Sequence, residues 1–282
     1  MKQEDAISVP ETALFTLCFR ANEARRRGGI IDDPMAVRLV DSIDYDFTYL
    51  KRSTRQDLAL RALAFDSAAH RYMSRRPRAT VVALGEGLQT SFWRLDAAGL
   101  GHEFLWLSVD FPQQIAVRER LLPHSPRISS CSQSALDFSW MDHVAPENGV
   151  FIMAEGMLPY LQPEQALGLI GACAQRFPGG QLIFDLPPKS LAVLNRLGIR
   201  TTLKGRWPST PFGLSVREIT KLPERISGVR AAHTLPLPRG RGPVFGQMLW
   251  RTRRLPIYQP LRRLVGMKYR TVATLTVLEF GP

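Results

Sequence analysis

Residues 79–95, ATVVALGEGLQTSFWRL, constrain this chain more than any other stretch. Val81 to Leu84 form a continuous apolar run that meets Gly85, Glu86 and Gly87 at once, the pattern of a central parallel strand opening into a ligand-binding turn. At Gly85 and Gly87 no Cβ obstructs an approaching ligand, and the backbone is free to take angles that other residues resist. Thr90 or Gln89 is expected to cap a following helix that carries Phe92, Trp93 and Leu95.

Strand and helix patterns alternate from that point. The spacing predicts strands at 79–84, 104–109, near 127–131, 149–154 and 181–185, with helices at 90–99, 112–121 and 163–176. Such alternation implies a mostly parallel sheet with right-handed crossovers and helices on both faces, its ligands at the carboxyl ends of the strands. Residues 1–78 read as an N-terminal helical cap: Thr12 to Arg26 and Ser53 to Met73 have helical spacing, and Asp32-Asp33-Pro34 opens another helix at Met35. The domain that follows is expected to span 79–282. Past Asp185 the pattern loosens into a helix at Leu191 to Arg200, a basic loop at Lys204 to Pro211 and a helix at Val216 to Ile226. A strand at Val229 to Leu237, a turn at Arg239 to Pro243 and a long final strand at Met267 to Phe280 complete the reading.

A chain of 282 residues suits one large α/β domain or one with a modest appendage. Its 37 basic against 25 acidic Lys, Arg, Asp and Glu side chains give a net charge of +12. The basic residues fall in separate clusters, Arg25 to Arg27, Arg71 to Arg78 and Lys204 to Arg270, without an interleaved aromatic ladder, so a solvated basic surface or an acidic small substrate is expected, and no nucleic acid. Cys18, Cys131 and Cys173 lie far apart and form no C-x-x-C pair, which speaks against a disulfide framework or a zinc ribbon and for a reducing compartment. The five histidines are equally dispersed, and no protein-held metal is expected. The charged start, MKQEDAISVP, and the broken apolar stretch Gly149 to Ala174 predict neither a signal peptide nor a membrane span, hence a cytoplasmic protein.

Three strand ends carry candidate chemistry. Asp110 closes FLWLSVD at about the interval from Gly85 expected of an acid that accepts both hydroxyls of a ribose; the alternative is a helix N-terminal acid before Pro112. Asp137 beside Phe138 offers an acid and an aromatic face to an adenine, or is a surface loop acid. Glu155, at the end of VFIMAE and followed by Gly156 and Tyr160, points a carboxylate into the cleft. An unpaired buried carboxylate costs several kcal/mol, so a cation is required, either a ligand ammonium or sulfonium or an internal arginine such as Arg61. A nicotinamide dinucleotide fold competes for the same turn, but the third glycine of G-x-G-x-x-G is Thr90 here. Asp185-Leu186-Pro187-Pro188 reads as a turn after the fifth strand.

Taken together, 13–36 (ALFTLCFRANEARRRGGIIDDPMA), 60–66 (LRALAFD), 81–95, 106–112 (WLSVDFP), 134–142 (SALDFSWMD), 154–161 (AEGMLPYL) and 176–185 (RFPGGQLIFD) resemble the leucine carboxyl methyltransferase family. Within it they are closer to the microbial polyketide carboxyl O-methyltransferases of the tetracenomycin type. The resemblance implies a Rossmann-like class I methyltransferase fold with a seven-stranded sheet, S-adenosyl-L-methionine as cofactor, and methyl transfer to a carboxylate of a small molecule in secondary metabolism. It places Arg61 on the cofactor's methionine carboxylate and Gly85 and Gly87 along its turn. Asp110 falls at the ribose, Asp137 and Phe138 at the adenine, and Glu155 at the methionine amino end, with Phe111 also cofactor-binding and Arg20 and Tyr160 on the substrate side. The cap and the segment Lys189 to Arg230, with Trp207 and Phe212, would shape the acceptor pocket. Glu86 and Gln89 depart from the family pattern, which has a small residue and an aspartate there; Glu86 would repel the cofactor carboxylate or, if turned outward, do nothing. A phenolic acceptor, and a catalytically silent cofactor-binding protein acting through its basic surface, are the alternatives. Oligomeric state is not legible.

Overall fold

The computed structural model describes residues 10–51, 56–99, 103–187, 189, 192–193, 210–238, 240 and 274–282. Seven strands form one sheet: β1 (Thr80–Leu84), β2 (Leu105–Asp110), β3 (Ile128–Ser132), β4 (Val150–Ala154), β5 (Gln181–Leu186), β6 (Val229–Leu235) and β7 (Thr274–Phe280), in the order β3-β2-β1-β4-β5-β7-β6. β1 to β5 are parallel, and β7 runs antiparallel to both of its neighbours. Strand order reverses at β1, which pairs with β2 on one side and β4 on the other. That reversal opens a crevice at the carboxyl ends of β1 and β4.

Side chains alternate across the sheet, as period 2 requires. Val82, Leu84, Leu107 and Val109 pack on one face with Trp140 and with Leu169, Ile170 and Cys173 of α7 (Pro163–Arg176). Val81, Ala83, Trp106 and Phe151 pack on the other with Phe65, Ala68, Ala69 and Tyr72 of α4 (Asp57–Met73) and with Phe92 and Leu95 of α5 (Ser91–Ala97). Helix α4 therefore covers the sheet itself, and the expected boundary at residue 78 marks no break in packing. The remaining N-terminal helices, α1 (Glu11–Arg25), α2 (Pro34–Ser42) and the short α3 (Thr48–Lys51), share a third cluster with Leu88 after β1 and with Val117 of α6 (Pro112–Leu121).

The later elements depart from expectation for identifiable reasons. The single helix expected at Val216 to Ile226 is two, α8 (Val216–Ile219) and α9 (Leu222–Arg225). Pro223 cannot donate to the residue 219 carbonyl and its ring crowds that carbonyl, so the helix breaks and restarts. Phe212, expected in an acceptor pocket, is 2% exposed within the main core. Asp185 is no turn residue but lies inside β5. Trp207, nearly all of Leu191 to Arg200, the loop from Lys204 to residue 209, most of Arg239 to Pro243 and the chain from Met267 to residue 273 lie outside the described residues.

Candidate active site

The turn after β1 is held from three sides. Gly85 and Gly87 have φ of +58° and +52°, the left-handed region in which an L side chain is strained. The Gly85 N–H donates to the Val109 carbonyl at 2.8 Å, and the Gly87 N–H donates to Asp110 Oδ2 at 2.6 Å. Arg118 of α6 donates Nη1 to the carbonyls of Gly87 and Gln89, each at 2.8 Å. Its Nη2 pairs with Glu86 Oε1 at 2.7 Å, and Ser108 donates to the other Glu86 oxygen. Glu86 thus turns into the sheet, away from the mouth of the turn. Burial pushes its carboxyl above the ordinary value, with Arg118 opposing.

Asp110 Oδ1 accepts from the Phe111 N–H at 2.8 Å, so both oxygens hold backbone, and each keeps a second lone pair for a ligand. Burial raises this carboxyl as well. Phe111 is 58% exposed and Phe138 40%, two aromatic faces standing out of the carboxyl ends of β2 and β3. Asp137 is exposed and accepts from the N–H and hydroxyl of Ser139, opening a 3-10 helix at Phe138–His143.

At the neighbouring strand ends the acids meet arginine. Arg61 of α4 donates Nε to Glu155 Oε1 at 2.9 Å and Nη1 to Asp185 Oδ2 at 3.0 Å. Burial works against the Arg61 charge, but Asp185 and Glu155 outweigh it and hold the guanidinium above its ordinary value. The Gly156 N–H donates to Asp185 Oδ1 at 2.6 Å, and Gln89 Nε2 donates to Glu155 Oε1 at 2.7 Å. The cation facing Glu155 is therefore the internal Arg61. Burial nonetheless raises the Glu155 carboxyl, against the pull of Arg61 and Arg20.

Two other expectations are corrected. Arg20 is fully enclosed, donating to Asp33 at 3.2 Å and to the Leu88 carbonyl at 2.7 Å, so it lines no open substrate surface. Thr90 occupies the N-cap position of α5 as expected but makes no side-chain cap bond: its hydroxyl donates to Asp33, and Gln89 serves Glu155. Asp33 also takes Arg94 Nη1 at 2.6 Å, and Arg94 Nε reaches Asp66 at 2.6 Å, which ties α1, α2, α4 and α5 together beneath the turn. Sequence reasoning missed Asp185, Arg118, Asp33 and Arg94.

Three buried atoms near Glu155 have no hydrogen-bond partner among the described residues: Glu155 Oε2, Gln89 Oε1 and Arg20 Nη1. Two acceptors and one cationic donor complement an α-ammonium and an α-carboxylate, the two charges of an amino acid. Asp110 and the exposed aromatics stand where a nucleoside would continue. The site fits a nucleoside joined to an amino acid. Among the described residues no group of three or more His, Cys, Asp or Glu is placed to hold a metal, and no helix is long and apolar enough to cross a membrane.

Residues 13–174 match the leucine carboxyl methyltransferase family. The chain belongs to that family. It is 30% identical over 227 residues to the tetracenomycin polyketide synthesis O-methyltransferase TcmP of Streptomyces glaucescens, covering 79% of this chain and 80% of that one. Solved structures of similar fold include a DUF574 family protein from Streptomyces avermitilis (TM-score 0.59, 13% identity, 98% of this chain and 99% of that one). Another is the plantazolicin methyltransferase BamL bound to S-adenosylhomocysteine (TM-score 0.50, 14% identity, 95% of this chain and 97% of that one). The sheet is that of the class I methyltransferases, and this family member is an S-adenosylmethionine-dependent methyltransferase.

Proposed function

We propose that this methyltransferase esterifies a carboxylate of a small molecule in secondary metabolism. When bound, S-adenosylmethionine supplies an electrophilic sulfonium methyl group. In this reading Gly85 and Gly87 admit the cofactor to the turn, Asp110 accepts from its ribose, and Phe111, Asp137 and Phe138 border its adenine. Glu155 Oε2 with Gln89 Oε1 takes the ammonium, and Arg61 together with Arg20 Nη1, unpartnered among the described residues, takes the carboxylate.

The observation that carries the choice of acceptor is Tyr160. Tyr160 is 38% exposed beside the cleft, and burial, with Asp185 adding to it, pushes the phenol above its ordinary value of about 10 despite Arg61. A hydroxyl held neutral donates a hydrogen bond to an anionic oxygen and is poorly suited to removing a proton. A carboxylic acid with a pKa near ~4 arrives ionised and asks only for alignment, which is worth up to roughly 7–11 kcal/mol; a phenol asks for a base. The described histidines His70, His124, His143 and His233 are all exposed. The resemblance to a polyketide O-methyltransferase of a carboxyl methyltransferase family supports the same acceptor.

The test is transfer of a labelled methyl group from S-adenosylmethionine to a panel of aromatic acids and phenols. Label released by mild alkali identifies an ester, the expected product. Label confined to alkali-stable ethers overturns the carboxyl assignment.

A further inference from the structure

Asp185 uses both carboxylate oxygens inside the site, one on the Gly156 N–H at 2.6 Å and the other on Arg61 Nη1 at 3.0 Å. Arg61 meets Glu155 through Nε alone, at 2.9 Å, and Gln89 bonds to the same Glu155 oxygen, so Oε2 stays unpartnered among the described residues. Guanidinium and carboxylate left to themselves favour a two-point fork, which here would consume Oε2 as well. Gly156 contributes by being small: a Cβ there would lie 3.3 Å from Arg61 Nη2, a nitrogen with no hydrogen bond among the described residues.

We propose that Asp185 is a positioning residue that draws Arg61 off Glu155, so that Glu155 Oε2 stays open for the cofactor's ammonium and Arg61 Nη2 for its carboxylate. The inference rests on the cofactor contacts proposed above and adds a residue that touches neither the reacting atoms nor the nucleoside. Asp185 acts through Arg61 and through the Gly156 turn, and its influence falls on the amino-acid end of the cofactor alone.

Calorimetry with two ligands separates this role from a general structural one. S-adenosylhomocysteine carries the amino-acid tail, and 5′-methylthioadenosine is the same thionucleoside without it. Asp185→Asn, nearly isosteric and still able to accept from Gly156, is expected to weaken S-adenosylhomocysteine by about tenfold or more, the scale of one hydrogen bond to a charged group, with methylthioadenosine unchanged. In an Arg61→Ala background the same substitution is expected to add nothing, since the two act as one unit. Equal losses for both ligands, an unchanged affinity for S-adenosylhomocysteine, or additive losses in the double variant overturn the proposal while leaving the cofactor assignment intact. Failure of the wild-type enzyme to bind either ligand overturns the proposal and the cofactor contacts together.

Discussion

Glu86 shows how a single side chain reverses its meaning once its surroundings are known. A glutamate between two glycines of a turn expected to seat a cofactor reads as a repulsive charge, yet it pairs with Arg118 beneath the turn and receives Ser108. Removing one partner of a buried pair leaves the other uncompensated, so Glu86→Ala is expected to cost about 3–5 kcal/mol in urea unfolding, and adding Arg118→Met is expected to restore part of that loss. Full recovery is not expected, because Arg118 also holds the carbonyls of Gly87 and Gln89. Asp33 has the opposite balance. Burial works against its charge, but Arg94, Arg20, the Thr90 hydroxyl and the Ala36 N–H together hold its carboxyl below the ordinary value. Its folded pKa being depressed, Asp33 contributes stability above the unfolded value of about 3.9 and loses it as pH falls through the lower folded one. Asp33→Asn should therefore flatten the acid limb of a stability-against-pH curve below about pH 4. A limb of unchanged slope would show that other acids govern it.

The strand-turn-helix unit was the part of the sequence most easily read, since a run of buried residues ending in glycines has few structural solutions. Gly85 illustrates why: at φ +58° a Cβ would stand 2.9 Å from Met157 Cγ. Gly85→Ala is expected to lose about 1–2 kcal/mol from backbone conformation and to weaken S-adenosylhomocysteine binding. Gly99, at φ +76° with nothing within 4 Å of its Cβ position, serves as the control: Gly99→Ala should lose stability by a similar backbone amount but no affinity. If both variants bind normally, the turn does not seat the cofactor. Strand ends were less legible than the strands. LSVD, FIMAE and LIFD each close an apolar run with an acid, at Asp110, Glu155 and Asp185, and the third carries the same signal as the other two. It was obscured by the two prolines that follow. The arginine that faces Glu155 and Asp185, Arg61, comes from a helix far away in sequence, and helical spacing says nothing about which strand end a guanidinium will meet.

Across the whole molecule, the N-terminal helices belong to the fold as much as the sheet does. Arg20 and Asp33, both fully buried, reach Leu88 and Arg94 across the base of the turn after β1, and Phe65 and Tyr72 of α4 fill one face of the sheet. A variant lacking residues 1–33 is expected to lose cooperative unfolding and S-adenosylhomocysteine binding together, because Arg94 would keep its charge without its deepest partner. Retention of a sharp thermal transition would show that these helices are an accessory. The place of β7 has a consequence for synthesis. Of the seven described strands it comes last in the chain, yet it lies between β5 and β6 and pairs with both. Until it leaves the ribosome, two strands already translated present bare edges, so a growing polypeptide stalled near residue 270 would be a natural client for chaperones.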